Sequence, residues 1–168
     1  IDLAQLGPLA LTDECHLQNA EARTRCATIT AARRAQTLAV RRLISKGECL
    51  PQELRPNRED LKNGWKAPEL TDEQKMTHEN SVISNNVAAI SVGLMGDEIY
   101  LDLDYILDSN ADVYMNVVMT SNGEFVEVQG TGEESTYTRK QLDALLNMAE
   151  KGNLALHEMQ MEVLSEAN

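Results

Sequence analysis

Region 87–129 restricts the possible folds of this chain more than any other part of the sequence. Its first segment, Val87–Met95, is a nearly continuous apolar run, which is typical of a strand buried on both faces. Further along, apolar residues alternate with other types, and Asn122-Gly123 predicts a tight hairpin turn. A sheet is therefore expected here. The predicted strands are 87–95, 99–104, 113–119 and 125–129.

Helical patterns flank this predicted sheet. A helix is predicted over 24–46, because its apolar residues share one stripe and Gly47 suits the position after a helix end. Thr138-x-x-Gln141 is a capping box that opens a second helical region, which Gly152 is expected to break in two. Alternation over 9–18 predicts one further strand. The expected fold class is therefore α+β, with helices packed on a mixed or mostly antiparallel sheet.

Residues 48–86 differ from the rest of the chain, since they hold three of the four prolines and the only tryptophan. A connection of this length between packed elements is unusual. We therefore interpret 48–86 as a surface insertion in a single domain that spans residues 1–168. Within it, Thr71-x-x-Gln74 predicts the start of a short helix.

The net charge of −12 is distributed unevenly, because residues 1–66 hold 11 basic and 8 acidic side chains and residues 67–168 hold 4 and 19. An acidic total argues against a general nucleic-acid coat, which needs clustered cations. The predicted helix 24–46 is nevertheless rich in arginine and contains no acidic residue. A local site for anions is therefore possible on an otherwise acidic chain.

Thr24 and Arg25 lie at the expected start of this helix, where free N–H groups attract anions and arginine adds a forked set of donors. Arg34 and Arg41 share another side of the same helix. The alternative is that Thr24 only caps the helix and that the arginines form a solvated face.

The three cysteines show no C-x-x-C spacing, which argues against a disulfide scaffold or a zinc module. They are expected to be reduced thiols in an intracellular compartment, either the cytoplasm or an organelle matrix such as that of the mitochondrion. No apolar run approaches the ~20 residues that span a bilayer, so no membrane partner is expected.

Asp102, Asp104 and Asp108 are close together in sequence around the end of a predicted strand. Asp102 and Asp104 share one face of that strand, and a turn at Asp108-Ser109-Asn110 would bring the third carboxylate to the same end. Grouped carboxylates suit a hard cation such as Mg²⁺. The alternative is a solvated strand edge followed by a turn, since acidic residues favour both.

Several segments of the chain resemble the C-terminal half of the ribonuclease PH family. They are Val87-Ala-Ala-Ile-Ser-Val-Gly-Leu94, Leu101-Asp-Leu-Asp-Tyr105, Asp108-Ser109, Met115-Asn-Val-Val-Met-Thr120 and Gly123-Glu-Phe-Val-Glu-Val-Gln-Gly-Thr131. Upstream, Thr24-Arg25-Cys-Ala-Thr-Ile-Thr30 is similar to the family's Thr-Arg-Thr-Ala-Ser-Ile-Thr segment. The resemblance covers nearly all of 13–164 apart from 48–86, and the N-terminal half of the family's fold has no counterpart in this sequence.

The resemblance implies RNA processing by a phosphate-dependent 3′-to-5′ exoribonuclease of the tRNA 3′-end nucleotidyltransferase type. Asp102 and Asp108 match the family's catalytic and metal-binding acids, and Asp104 is a further candidate metal ligand. Thr24 and Arg25 match its phosphate-holding pair. Mg²⁺ is then the expected cofactor and inorganic phosphate the co-substrate. RNA is expected as a partner, and the candidate RNA-binding residues are Arg23, Arg34 and Arg41.

The chain also departs from the family pattern. Glu21-Ala22-Arg23 stands where the family has Asp-Gly-Gly, and these side chains obstruct the close approach of backbone N–H groups to a phosphate. Tyr114 replaces a family acid. Two interpretations follow. One is an enzyme of a ring-shaped oligomer, whose N-terminal half lies upstream or on another chain. The other is an inactive structural subunit of a ribonucleoprotein or exosome-like assembly.

Overall fold

A four-stranded antiparallel sheet is the central element of the computed structural model, which describes residues 1–18, 24–133 and 135–166. The strands are β1 (Val87–Met95), β2 (Glu98–Leu101), β3 (Val113–Thr120) and β4 (Phe125–Gly132). Their order across the sheet is β2-β1-β3-β4, so β2 and β4 are the two outer strands. The hairpin between β3 and β4 turns at Gly123, whose φ of 80° is readily adopted only by glycine.

Six α-helices are found in the described residues. They are α1 (Leu3–Leu6), α2 (Thr24–Ser45), α3 (Arg58–Lys62), α4 (Asp72–Val82), α5 (Tyr105–Asn110) and α6 (Arg139–Glu166). The capping boxes of the sequence are present, because Thr71 and Gln74 cap α4 reciprocally and Thr138 and Gln141 do so at α6. None of the described helices is long and apolar enough to cross a membrane.

The chain divides into two compact units. Unit 1 comprises Ile1–Asp13 and Ala35–Asn85, and unit 2 comprises Glu14–Arg34 and Asn86–Asn168. The α+β class and the antiparallel sheet of unit 2 are as the sequence predicts. The single domain of 1–168 with an inserted 48–86 stays a prediction.

The core of unit 2 lies between one face of the sheet and α6. Alternate residues of β1 and β3 supply this face, and Leu145 and Ala149 of α6 pack on it. Gly152 is also buried there, because an added Cβ would lie 2.5 Å from Ile90 Cδ1. The opposite face, at Ala89 and Val118, packs against Cys26 of α2. The buried strand residues of the first face are Ile90, Val92, Leu94, Val113, Met115, Val117 and Met119.

Unit 1 has its own small core, which includes Val40 and Ile44 of α2 and Val82 of α4. Cys49 and His78 are buried in it, with Cys49 Sγ 3.5 Å from His78 Nε2. Burial raises the pKa of the Cys49 thiol and lowers the pKa of His78. Both groups are therefore neutral near pH 7. Cys15, Cys26 and Cys49 are free thiols in this structure.

Four local predictions were wrong. The strand predicted over 99–104 ends at Leu101, and Asp102 has left-handed backbone, so Asp102 and Asp104 do not share a strand face. Residues 9–18 form no strand, because Leu9 and Leu11 pack on the core of unit 1 without a neighbouring strand. Asp108-Ser109-Asn110 is not a turn but the end of α5, whose start Asp104 caps. Gly152 does not interrupt α6, since the close packing of the helix on the sheet leaves no room for a larger side chain there.

Candidate functional site

The candidate site lies at the end of β2, beside the part of β1 that β2 does not cover. β2 pairs only with residues 92–95 of β1, so the first half of β1 has no strand on that side. The chain turns away at Asp102, whose N–H donates to the Ser91 carbonyl at 2.8 Å. The next N–H, that of Leu103, donates to Ser91 Oγ at 3.0 Å. Ser91 therefore holds both residues against the uncovered edge of β1.

Asp102 is the one non-glycine residue with positive φ among the described residues, at 55°. This left-handed conformation is uncommon outside glycine, although aspartate and asparagine tolerate it better than most residues. Strained backbone of this kind is concentrated at functional sites. This conformation follows the end of β2 at Leu101, and the exposed Asp102 lines a cavity.

The cavity has a volume of about 420 Å³, within the usual range for small-molecule sites. Its walls come from α2, the start of β1, the segment after β2 and the C-terminal half of α6. Only two of the residues that line it are charged, Arg34 and Asp102. The full lining is Cys26, Ala27, Thr30, Ala31, Arg34, Ala89, Ile90, Asp102, Leu103, Leu156, Met159, Gln160 and Val163.

Neither charged side chain of the cavity has a partner among the residues that the structure describes. Arg34 is half-buried, and its Nε is inaccessible to solvent and makes no hydrogen bond within the described part of the chain. Among the same residues, Arg34 and Asp102 form no ion pair with each other or with a third group. A ligand in the cavity that carries acceptor oxygens could therefore bind Arg34.

Hydrogen bonds fix both helical walls of the cavity to β1. Thr30 Oγ1 donates to the Ala89 carbonyl at 3.3 Å and accepts from the Ala89 N–H at 3.1 Å. Gln160 Nε2 of α6 donates to the carbonyls of Thr30 and Val87, at 3.0 and 3.2 Å. His157 Nδ1 lies 3.2 Å from Gln160 Oε1, which orients this amide. The position of Arg34 on α2 is therefore tied to the sheet and to α6.

Arg25 lies at the opposite edge of the sheet from Asp102, beside the outer strand β4. Its Nη2 donates to both carboxylate oxygens of Glu127 on β4, at 2.8 and 2.6 Å, and its Nη1 donates to Gln129. Gln129 of β4 is paired with Asn116 of β3, which is paired with Ser91 of β1, and Ser91 is hydrogen-bonded to Asp102. Three strand spacings therefore separate Gln129 from Asp102, about 14 Å. Arg34 follows Arg25 by nine positions, which is a rise of about 13.5 Å along α2. This rise equals the distance across the sheet from Gln129 to Asp102.

The structure therefore brings Arg34, and not Arg25, to the cavity of Asp102. Thr24 is exposed at the first position of α2. Arg41 lies in unit 1 and donates to both carboxylate oxygens of Glu79, at 3.0 and 2.9 Å. Arg23 lies outside the described residues. The roles of Thr24 and Arg25 in phosphate binding, and of the arginines in RNA binding, stay predictions.

The three candidate metal ligands have different surroundings. Asp104 Oδ1 accepts the Leu107 N–H at 2.8 Å as the cap of α5, and Asp108 is half-buried within that helix. Among the described residues no three His, Cys, Asp or Glu side chains are grouped so that they could hold a metal ion. Because Mg²⁺ can be held by one or two carboxylates with substrate phosphates, Asp102 and Asp108 are the residues that would hold it. The ligand set stays a prediction.

The sequence interpretation missed the part of the site that α6 contributes. Leu156, Met159 and Val163 follow an apolar stripe, which is typical of core residues, but all three line the cavity. Gln160 interrupts this stripe with a polar residue that is only 6% exposed. A buried glutamine within an apolar stripe is the signal that could have indicated a hydrogen-bonded wall.

Comparison with known proteins agrees with the resemblance found in the sequence. Residues 85–152 match a family model described as the 3′ exoribonuclease family, domain 2. The chain is 40% identical to ribonuclease PH of Crocosphaera subtropica over 167 residues, which are 99% of this chain and 58% of that protein. It is 38% identical to ribonuclease PH of Bacillus subtilis over 168 residues, 99% of this chain and 57% of that protein. The chain thus spans little more than half the length of these relatives.

Two solved structures share weaker similarity with the chain. One is the Archaeoglobus fulgidus exosome with RNA bound to the active site, with 17% identity and a TM-score of 0.40 over 45% of this chain and 29% of that chain. The other is an archaeal exosome core, also 17% identical, with a TM-score of 0.42 over 46% of this chain and 31% of that chain. The resemblance to the ribonuclease PH family is confirmed by the sequence comparisons.

Proposed function

We infer that this chain is part of a phosphate-dependent 3′-to-5′ exoribonuclease. Nearly the whole chain resembles ribonuclease PH, and this part of the enzyme contains the cavity of Asp102. The observation that carries the proposal is this carboxylate. It lies in a segment that the family model matches, and its backbone is held in a rare conformation. It also lines a cavity with Arg34, whose side chain has no partner among the described residues. Inorganic phosphate is the co-substrate of this activity.

The proposed reaction transfers the 3′-terminal nucleotide of RNA to inorganic phosphate. A phosphate oxygen attacks the phosphorus of the terminal phosphodiester, the bond to the 3′ oxygen breaks, and that oxygen takes up a proton. The products are a nucleoside 5′-diphosphate and an RNA shorter by one nucleotide. In such reactions the protein contributes mainly by positioning the reactants and neutralising charge.

Arg34 supplies the positive charge of the cavity, and the apolar wall of α6 excludes water from it. Asp102 also lines the cavity, and its carboxylate can accept a hydrogen bond from a hydroxyl group of the terminal ribose. If Mg²⁺ is required, it would be held by Asp102 and Asp108 and would neutralise charge on the leaving oxygen.

RNA is the proposed substrate, and further ribonuclease PH-like subunits are the proposed partners in a ring-shaped oligomer. A reducing intracellular compartment is the proposed location. The cytoplasm and an organelle matrix are both compatible with three free thiols.

The second candidate function is an inactive structural subunit of a ribonucleoprotein or exosome-like assembly. One observation favours it. The side chain of Arg25, which the resemblance assigns to phosphate binding, is occupied by Glu127 and Gln129. A phosphate at Arg25 would have to displace the Glu127 carboxylate, whose two oxygens both accept hydrogen bonds from Arg25 Nη2.

A phosphorolysis assay distinguishes the two functions. The chain is incubated with 3′-ended RNA in the presence and absence of inorganic phosphate, each with and without Mg²⁺, and nucleoside diphosphates are measured. We expect release only with phosphate, and a loss of at least about 100-fold in Asp102→Asn, since a group that stabilises the transition state is removed. Asp97→Asn is the matched control, because Asp97 is exposed in the turn between β1 and β2.

Nucleoside diphosphate release that survives in Asp102→Asn would refute the role given to this cavity. No release from the unmodified chain under any of the four conditions would favour the structural subunit.

A further inference from the structure

The chain contains two Asn-Gly pairs, Asn63-Gly64 directly after α3 and Asn122-Gly123 in the hairpin between β3 and β4. In such a pair the backbone nitrogen of the glycine can attack the side-chain amide of the asparagine, because glycine has no Cβ to obstruct the approach. A C–N bond forms and closes a succinimide ring, and the amide nitrogen leaves as ammonia with the proton of the glycine N–H. Water then adds to one ring carbonyl, the bond from that carbonyl to the ring nitrogen breaks, and the nitrogen regains a proton. The product is aspartate when the side-chain carbonyl is attacked and isoaspartate when the main-chain carbonyl is attacked.

The two pairs offer the same steric access to this reaction. Both asparagines are exposed, and Gly64 and Gly123 both have positive φ, at 74° and 80°. A Cβ added at either glycine would have no neighbour within 4 Å among the described residues, apart from its own chain neighbours. Crowding therefore does not distinguish one pair from the other.

The glycine N–H, which must be available for attack, does distinguish them. The N–H of Gly123 donates to the Thr120 carbonyl at 3.0 Å and so closes the hairpin turn. For the N–H of Gly64, no acceptor is found in the part of the chain that the structure describes, and the side-chain amide of Asn63 makes no hydrogen bond there either. Attack by the Gly123 nitrogen must first break a hydrogen bond, and attack by the Gly64 nitrogen does not.

Neighbouring charges act in the same direction. Lys62 precedes Asn63, whereas Glu124 follows Gly123. Ring closure passes through an anion, because the attacking nitrogen gives up its proton and the negative charge moves to the amide oxygen. A nearby ammonium group stabilises this anion, and a nearby carboxylate opposes it.

We propose that Asn63 is a site of spontaneous deamidation, where aspartate and isoaspartate form, and that the hairpin turn protects Asn122. Isoaspartate adds one methylene to the main chain at the end of α3. Trp65, the only tryptophan of the chain, lies two residues further on, packs against the core of unit 1 and donates its N–H to the Asp60 carbonyl at 3.1 Å. The modification therefore displaces Trp65. This proposal is independent of the proposed function.

Incubation of the full chain near neutral pH, followed by peptide mapping with mass spectrometry, gives the rate of conversion at each asparagine. In the folded chain we expect Asn63 to convert at least about fivefold faster than Asn122, which is the rate factor of one neutral hydrogen bond. In concentrated guanidinium chloride, which unfolds the chain and screens its charges, we expect the two rates to agree within about twofold.

Two variants are the matched controls. Asn63→Gln should remove the conversion at position 63, because a glutamine would have to close a larger ring, and should leave the rate at Asn122 unchanged. Asn122→Gln should leave the rate at Asn63 unchanged. The fluorescence emission of Trp65 should change with the time course of the Asn63 conversion in the unmodified chain and stay constant in Asn63→Gln.

Three results would overturn the proposal. The first is an absence of conversion at Asn63, and the second is conversion of Asn122 at the same rate or faster in the folded chain. The third is a rate ratio that persists in guanidinium chloride, since it would assign the preference to the local sequence and not to the turn. Constant Trp65 emission during conversion of Asn63 would overturn the displacement of this side chain.

Discussion

Replacement of Gly152 by alanine measures how closely α6 lies against the sheet. An ideal Cβ at this position would stand 2.5 Å from Ile90 Cδ1 and 2.7 Å from Leu101 Cδ1, closer than carbon atoms pack in proteins. Two effects oppose each other. Alanine gains about 1 kcal/mol over glycine inside a helix, and an overpacked core loses about 1 to 3 kcal/mol. We therefore expect Gly152→Ala to lower the free energy of unfolding by about 1 kcal/mol.

Urea denaturation followed by circular dichroism gives this free energy, and Asn147→Ala is the matched control. Asn147 is exposed on the same helix, so its replacement gains helix propensity, about 0.6 kcal/mol, without meeting the sheet. A second variant, Ile90→Val, removes the nearest atom of the contact. In the Gly152→Ala background we expect it to cost at least about 0.5 kcal/mol less than in the unmodified chain.

A stabilised Gly152→Ala would refute the reasoning, because it would show that helix propensity acts there unopposed and that α6 lies further from β1 and β2. The consequence would extend to the candidate site. Leu156 and Gln160 follow Gly152 by one and two helical turns, so a displaced helix would also move that wall of the cavity.

Two further predictions concern polar groups inside the fold. Thr30→Val leaves the Ala89 N–H without its acceptor, so it should lower the free energy of unfolding, measured in urea, by about 1 to 3 kcal/mol. Thr28→Val is the control and should have little effect. Equal effects of the two variants would exclude the hydrogen bonds as the cause. Burial, with a smaller contribution from Arg55, lowers the pKa of His78 below its ordinary value of 6.5. As the pH falls, the unfolded chain therefore binds a proton at this histidine before the folded chain does. The free energy of unfolding should then decrease as the pH drops below about 6.5. Unfolding free energies across this range should depend less on pH in His78→Gln, and an unchanged slope would assign the effect to other groups.

The sheet could be predicted from sequence because its signals are local. The apolar run of β1 and the Asn-Gly turn before β4 each act within a few residues, and both were found where predicted. The error at α5 was also local, since Asp104 acts as an N-cap three residues before the N–H that it accepts. The alternation over 9–18 failed for a different reason, because a strand needs a neighbour that no local pattern specifies.

The candidate site was only half predictable. Asp102 stood out by its sequence surroundings, but which arginine is available to an anion depends on pairings between distant residues. Arg25 meets a carboxylate 102 positions away, and Arg41 meets one 38 positions away. No periodicity in the helix distinguishes these arginines from Arg34. The register of the sheet and the path of α2 across it determine which arginine meets a carboxylate and which one lines the cavity.

The outer position of β4 has a practical consequence for work with this chain. Its side chains include Phe125, Val126 and Val128, which are 51%, 58% and 42% exposed. A strand at the border of a sheet offers a row of backbone donors and acceptors to any extended peptide, and apolar side chains add to the attraction. Concentrated samples will therefore be prone to stack edge to edge, despite the repulsion that the many carboxylates provide. Crystallisation and NMR conditions are best chosen with that border in mind.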